Sequence, residues 1–327
     1  ERAVAAPRRR VECDLTPHHL ETVGPQLVAA YAKVVANRAH APALVQADLP
    51  RRRRKNLDYF LRSAKYAWIR RVERPETLVV EARYCGLRFT TGTTDRHARK
   101  LFKHGVHEPP ITAWLVEHLR LRPGEVALDV GGNIGWYSML FDRLAEPGVD
   151  IFAFEPDPDN RALLEENIRI NAARRVTVVP MAVSDSERAA TLHRFSGGNR
   201  GQHTLLPLYS GDDVEVRTVT LDGFWESAGL GDRLPRLVKI DIEGHEAAAM
   251  RGGQRVLSRC EMLLMEYSPK FMRGANLDPD EPLQLLTAAG LRPNVFVGSR
   301  VEPIAIERLR AVEGQANVLW SRAPLGG

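Results

Sequence analysis

From Gly124 onward, apolar runs of four to six residues alternate with helical segments, and this alternation restricts the fold more than any other feature. The pattern predicts strands over 126–130, 151–154, 176–180, 237–242 and 262–266. Between them it predicts helices over 136–144, 159–171 and 245–257. Strands that are apolar on both faces and separated by helices belong in a parallel sheet covered on both sides. The expected architecture is therefore α/β, a doubly wound, mostly parallel sheet. Residues 294–297 and 317–320 bring it to seven strands as an antiparallel edge hairpin.

The first 107 residues differ in period. Val23, Leu27, Ala30, Tyr31, Val34 and Val35 fall at helical spacing within 20–41, and 57–72 reads as a second amphipathic helix. Residues 77–84 and 87–90 alternate as a hairpin turning at Cys85-Gly86. A helix over 111–121 ends at Pro123-Gly124. The expected division is a helical and β-hairpin region over 1–107, serving as lid or dimerisation surface, and a catalytic domain over 108–327. Within that domain the stretch 191–224, with its Gly197-Gly198-Asn199-Arg200-Gly201 run, reads as a substrate loop plus a strand.

Composition narrows the partners. The net charge of +5 and pI near 9.2 invite a nucleic-acid reading, yet only seven of the 46 basic residues are Lys, a chain-wide Arg bias. The cluster Arg51–Lys55 lies far from the Gly-rich turn, with no interleaved aromatic before Tyr59. It reads as a solvated face or an acidic-partner site. Cys13, Cys85 and Cys260 have no metal-cage spacing. No run approaches the roughly 20 apolar residues that span a bilayer, and residues 1–10 lack the apolar core of a secretory signal. A cytoplasmic enzyme without membrane contact is expected.

The chemistry concentrates at strand ends. The first strand of the alternating region closes on Asp129, followed by Gly131, Gly132, Asn133 and Gly135. Glycines there allow close backbone approach, and the next helix offers free N–H groups. A dinucleotide site needs GxGxxG; Asn133 stands where its second glycine belongs. Asp129 also suits an ammonium better than a phosphate. Glu155, followed by Pro156, closes the second strand 20 residues after Gly135, where an acceptor-only carboxylate takes ribose hydroxyls. Ser184 and Asp185, after the third strand, are expected at an adenine edge, with helix capping as Asp185's structural alternative. Taken together, these spacings point to S-adenosylmethionine.

The segments Asp129–Ser138, Phe154–Pro158, Ala182–Asp185, Val219–Asp222 and Val238–Glu246 together resemble the FkbM-type methyltransferases, over about Glu108–Glu266. The resemblance implies a class I, Rossmann-like methyltransferase fold and methyl transfer to a hydroxyl of a natural product or sugar. Gly132 stands where that family more often has alanine.

A neutral hydroxyl must lose a proton during transfer, so a base or a metal is expected at the fourth strand's carboxyl end. Asp241, His245 and Lys239 are the catalytic candidates, His245 for its ordinary pKa and Lys239 either as reactant or as a carboxylate's partner. Glu243 and Glu266, with His203, Asn199 and Thr204 in the loop, are candidate acceptor contacts; Glu243 and Glu246 equally suit a helix N-terminus. Asp241 and Glu266 offer the weaker alternative of a shared divalent cation. Trp136 and Tyr137 read as core. A homodimer remains open.

Three rivals stay in play. A nucleic-acid methyltransferase fits the pI, but the Pro-Pro-aromatic sequence that holds a flipped amino base is missing. The absent glycine disfavours a nicotinamide oxidoreductase. A non-catalytic cofactor-binding module would bind without turnover.

Overall fold

The computed structural model describes residues 10–12, 57–82, 85–195, 200–208, 212–298 and 300–325. The chain divides into two compact units, Glu1–His107 and Glu108–Gly327. The helix expected over 20–41, the Arg51–Lys55 cluster, Cys13 and Asn199 lie outside the described residues. No described helix is long and apolar enough to cross a membrane.

In the first unit, β1 (Arg10–Glu12) runs parallel to β2 (Thr77–Ala82), which pairs antiparallel with β3 (Leu87–Gly92). Helix α1 (Leu57–Trp68) ends in a π-helical turn, Ile69–Glu73, and α2 (Arg96–His104) follows the hairpin. Ile69, Leu78, Phe89, Leu101 and Phe102 form its buried core. Arg62 is buried against this core and donates from Nη1 to the Phe102 carbonyl at 3.1 Å.

The second unit opens with α3 (Pro109–His118) and contains the doubly wound sheet. Strand β4 (Glu125–Val130) leads through the Gly-rich turn to α4 (Trp136–Leu144), β5 (Asp150–Phe154) and α5 (Pro158–Asn171). Asp157 starts α5 locally: its side chain accepts from the N–H groups of Asp159 and Asn160, and Pro158 takes the first helical position. Then come β6 (Val176–Val179), β7 (Ala182–Val183), β8 (Ala189–Leu192), β9 (Val214–Val219), α6 (Leu221–Ser227) and β10 (Leu234–Ile240). Helices α7 (Glu246–Arg251) and α8 (Gln254–Arg259) precede β11 (Met262–Tyr267). The remainder is α9 (Pro269–Gly274), α10 (Glu281–Ala288), β12 (Arg292–Val297), β13 (Arg300–Pro303), α11 (Ile306–Arg310) and β14 (Ala316–Ser321).

The main sheet has eight strands in the order β13-β12-β14-β11-β10-β4-β5-β6. From β11 to β6 all neighbours are parallel, with β4 and β10 side by side at the centre. Both faces are covered, and Leu128, Val130, Val238, Ile240, Leu263 and Met265 are buried.

Three expectations change. The expected antiparallel pairing of 294–297 with 317–320 holds in β12 and β14, but it is not a hairpin at the edge: β13, between them in sequence, pairs outside β12 and makes an eighth strand, while β14 joins β11. The helix expected over 245–257 is two helices divided at Gly252-Gly253: two consecutive glycines weaken a helix, and position 252 admits only glycine because a Cβ would stand 2.1 Å from the Ser184 carbonyl oxygen. The short strand before Ser184 lies outside the main sheet. It pairs with β9, which also pairs with β8, in a separate three-stranded sheet.

Candidate active site

Parallel register sets Lys239 directly beside Asp129 across the β10–β4 pair. Both are almost fully buried, and a buried charge needs partners. The Lys239 ammonium donates to the Gly131 carbonyl at 2.9 Å and lies 3.6 Å from Asp129 Oδ1 and 3.3 Å from Asp241 Oδ2. Burial works against that ammonium, but Asp241, Asp129 and Glu108 outweigh it and raise its pKa above the ordinary lysine value. Lys239 thereby ties the Gly-rich turn after β4 to the carboxylate after β10.

Asp129 is 1% exposed and accepts a 2.5 Å bond from Ser138 Oγ. Asp241 remains a third exposed, with 33% of its side chain accessible, at the strand's lip.

The turn is shaped by backbone. Gly131 has φ +80°, and a Cβ on it would lie 2.0 Å from the Asp241 carbonyl oxygen. Asn133 adopts the left-handed region at φ 49° and donates its N–H to Glu155 Oε2 at 2.7 Å. Glu155 Oε1 accepts from the Asp157 N–H at 2.9 Å, and burial raises this carboxyl to about 7. Each of its oxygens keeps a further lone pair. Gly132 and Gly135 line the same turn, and Pro156 lies between Glu155 and Asp157.

Ser184 is fully buried, and its Oγ lies 3.0 Å from His245 Nε2. Burial lowers His245 to about 4, and the charges acting on it are those of Asp185, Arg251 and Arg188. Asp185 is bound by Arg251 at 2.8 Å, which holds its pKa below the carboxylate norm. His245 and the Ser184–Asp185 turn thus form one unit at the start of α7.

A second group lies around Asp241. One oxygen each of Asp241, Glu243 and Glu266 falls within 4.8 Å of the others. Gln315 Nε2 donates to Glu266 Oε2 at 3.0 Å and lies 3.3 Å from Glu243 Oε2. Burial, then Asp241, raises the pKa of both glutamates. Glu246 turns back on its own loop, accepting from the Gly244 N–H at 3.0 Å, and burial raises it to about 7. Three nearby residues were not anticipated. Glu108 receives the Tyr137 hydroxyl and, at 2.9 Å, the Asn317 amide, while Gln315 bridges the glutamates. Tyr137 and Trp136 are buried, Trp136 donating to Thr112 Oγ1 at 3.2 Å.

Two described residues between β8 and β9 contact this region. Arg194 reaches Asp157 Oδ2 at 2.5 Å, and Thr204 Oγ1 donates to the Glu243 carbonyl at 3.0 Å. The His203 ring accepts the Phe195 N–H at 3.1 Å and shapes the loop itself. We expect Arg194→Ala, which leaves the nearly fully buried Asp157 carboxylate without its guanidinium partner, to destabilise the chain by about 1–3 kcal/mol; thermal denaturation decides it.

The charges at the turn choose its ligand. Asp129, Glu155 and Asp241 surround it, and its one buried ammonium, Lys239, is already held by carboxylates. A pyrophosphate would meet repulsion there, whereas a sulfonium-bearing amino acid with a ribose fits the donors and acceptors. Fold and turn together define a class I methyltransferase that uses S-adenosylmethionine.

The chain belongs to the FkbM methyltransferase family, whose domain model matches residues 129–293. It is 40% identical over 196 residues to the 31-O-demethyl-FK506 methyltransferase FkbM of Streptomyces tacrolimicus, covering 51% of this chain and 74% of that protein. The hexuronic acid methyltransferase AglP of Haloferax volcanii is 28% identical over 186 residues, covering 56% and 70%. The 2-O-methyltransferase NoeI of Sinorhizobium fredii is 27% identical over 205 residues, covering 57% and 82%.

Proposed function

We propose that this enzyme methylates a hydroxyl of a sugar or sugar-like natural product, with Asp241 receiving the proton. The observation that carries the assignment is the position of Asp241: it is the accessible carboxylate at the lip of the central strand pair, gripped on one oxygen by Lys239. The relatives named for FK506, hexuronic acid and 2-O methylation support the acceptor class.

When bound, S-adenosylmethionine supplies an electrophilic methyl group on a positively charged sulfur. Glu155 would hold the ribose hydroxyls through its remaining lone pairs, the backbone of Gly131–Asn133 would take the methionyl portion, and Ser184, positioned by His245, would lie on the adenine side. Asp241 would accept the proton of an entering hydroxyl as that oxygen takes the methyl group, the methyl–sulfur bond giving way and S-adenosylhomocysteine leaving. Glu243, Glu266 and Gln315 bind neighbouring hydroxyls of the acceptor.

The convergence of Asp241, Glu243 and Glu266 within 4.8 Å favours one second reading, a divalent cation that binds acceptor oxygens. One experiment addresses both. Candidate sugars and an extract of hydroxylated metabolites are incubated with methyl-labelled cofactor, with and without chelator, and products are identified by mass spectrometry. We expect a labelled O-methyl ether at a rate that chelation changes less than twofold. A tenfold loss restored by magnesium would assign the trio to a metal, and label only on nitrogen or carbon would refute O-methylation.

A further inference from the structure

The first unit holds a feature that methyl transfer does not use. A hollow of about 270 Å³ opens among α1, the π-helical turn and α2, lined by Ser63, Tyr66, Arg70, Arg71, Arg99 and Lys103. Arg70 and Arg71 are consecutive on the turn, while Arg99 and Lys103 stand one helical turn apart on one face of α2. Like charges at that spacing repel one another. Among the described residues none of these four cations has a carboxylate within ion-pair distance. Nearby acids are otherwise engaged: Glu73 accepts from Trp68 Nε1 at 3.1 Å, and Asp95 receives the Ala98 N–H at the start of α2.

The wall is fixed as well as charged. Tyr66 is buried, and its hydroxyl donates to the Thr93 carbonyl at 2.5 Å, which locks the ring against the hollow. A recess lined by four cations, three of them guanidinium forks, with no ion-paired carboxylate among the described residues, matches phosphate oxygens in charge and in geometry.

We propose that this hollow is a binding site for the diphosphate group of a small ligand, separate from the methionyl-cofactor site. Two phosphates match four cations better than one carboxylate does. The recess suits a compact anion, whereas a nucleic acid strand calls for a longer groove that follows its backbone. The shared chemistry is the diphosphate, whether free or carried on a nucleoside.

The test is isothermal titration of the full chain with inorganic pyrophosphate and, separately, with uridine diphosphate. Saturable one-to-one binding that weakens with added salt is expected. Tighter binding of uridine diphosphate would identify a nucleotide source, and equal affinity a free diphosphate. Arg99→Glu/Lys103→Glu should weaken the interaction at least tenfold without altering affinity for S-adenosylhomocysteine. The milder Arg70→Gln should weaken it about threefold, a control in case the double variant fails to fold. No saturable binding at millimolar pyrophosphate, or unchanged affinity in the folded variants, overturns the proposal. So does binding of a uridine-rich RNA that pyrophosphate cannot displace.

Discussion

Asp241→Asn is expected to lower turnover about a thousandfold while leaving affinity for S-adenosylhomocysteine within threefold of the parent. General bases contribute about 10²- to 10⁴-fold, and the amide keeps shape while losing proton affinity. The backbone position stays fixed, since the Asp241 N–H donates to the Val130 carbonyl at 3.1 Å and does not depend on the side chain. Lys239 loses one of its carboxylates but keeps Asp129 and the Gly131 carbonyl, so the turn should survive. His245→Ala is the informative comparison. Its ring lies 3.0 Å from Ser184 and burial holds it near 4, so it is a weak base engaged on the cofactor side. We expect it to cost less than tenfold in kcat and to raise the KM for S-adenosylmethionine. Single-turnover kinetics distinguish the two. If His245→Ala abolishes transfer and Asp241→Asn does not, the base assignment is reversed.

The second large effect is Gly131→Ala. One methyl group would have to occupy space 2.0 Å from the Asp241 carbonyl oxygen, at a φ of +80° that L side chains avoid. Neither strand can retreat, because β4 and β10 are adjacent central strands in continuous register there. The turn must therefore move, carrying the carbonyl that Lys239 holds and the nearby Asn133 N–H that Glu155 holds. Affinity for S-adenosylhomocysteine should fall at least a hundredfold by calorimetry. Stability should drop about 2–3 kcal/mol, roughly 5–10 °C in Tm. Gly132→Ala is the control: its Cβ would meet Ala153 Cβ at 3.4 Å, an ordinary contact. Equal losses at both positions would show that the clash at Gly131 is not what shapes the site.

Local signals in the sequence carried most of the catalytic unit. Helix α4 begins at Trp136 and ends at Leu144, as the apolar spacing indicates, and β5 and α5 deviate by one residue at their starts. The turn at Gly131 and the carboxylate at Glu155 were legible because each follows directly from the strand preceding it. What was not legible depends on contacts between distant segments. The requirement for glycine at position 252 answers to the Ser184 carbonyl, and the placement of β14 answers to a gap between two other strands. Nothing local reveals that Asp129 meets Lys239 and Ser138 in a buried position. Glu108, Gln315 and Asn317 belong to no local motif; Asn317 meets Glu108 across 209 residues.

That last pairing has a bearing on biosynthesis. The donor-binding turn and its supporting lysine are all translated before residue 245, yet the amides of Gln315 and Asn317 reach Glu108, Glu243 and Glu266 only after β14 slots between β11 and β12. On the ribosome, then, the carboxylates of Glu108, Glu243 and Glu266 all emerge before the amides that bridge them. A nascent polypeptide ending before Gln315 would leave those acidic side chains unbridged.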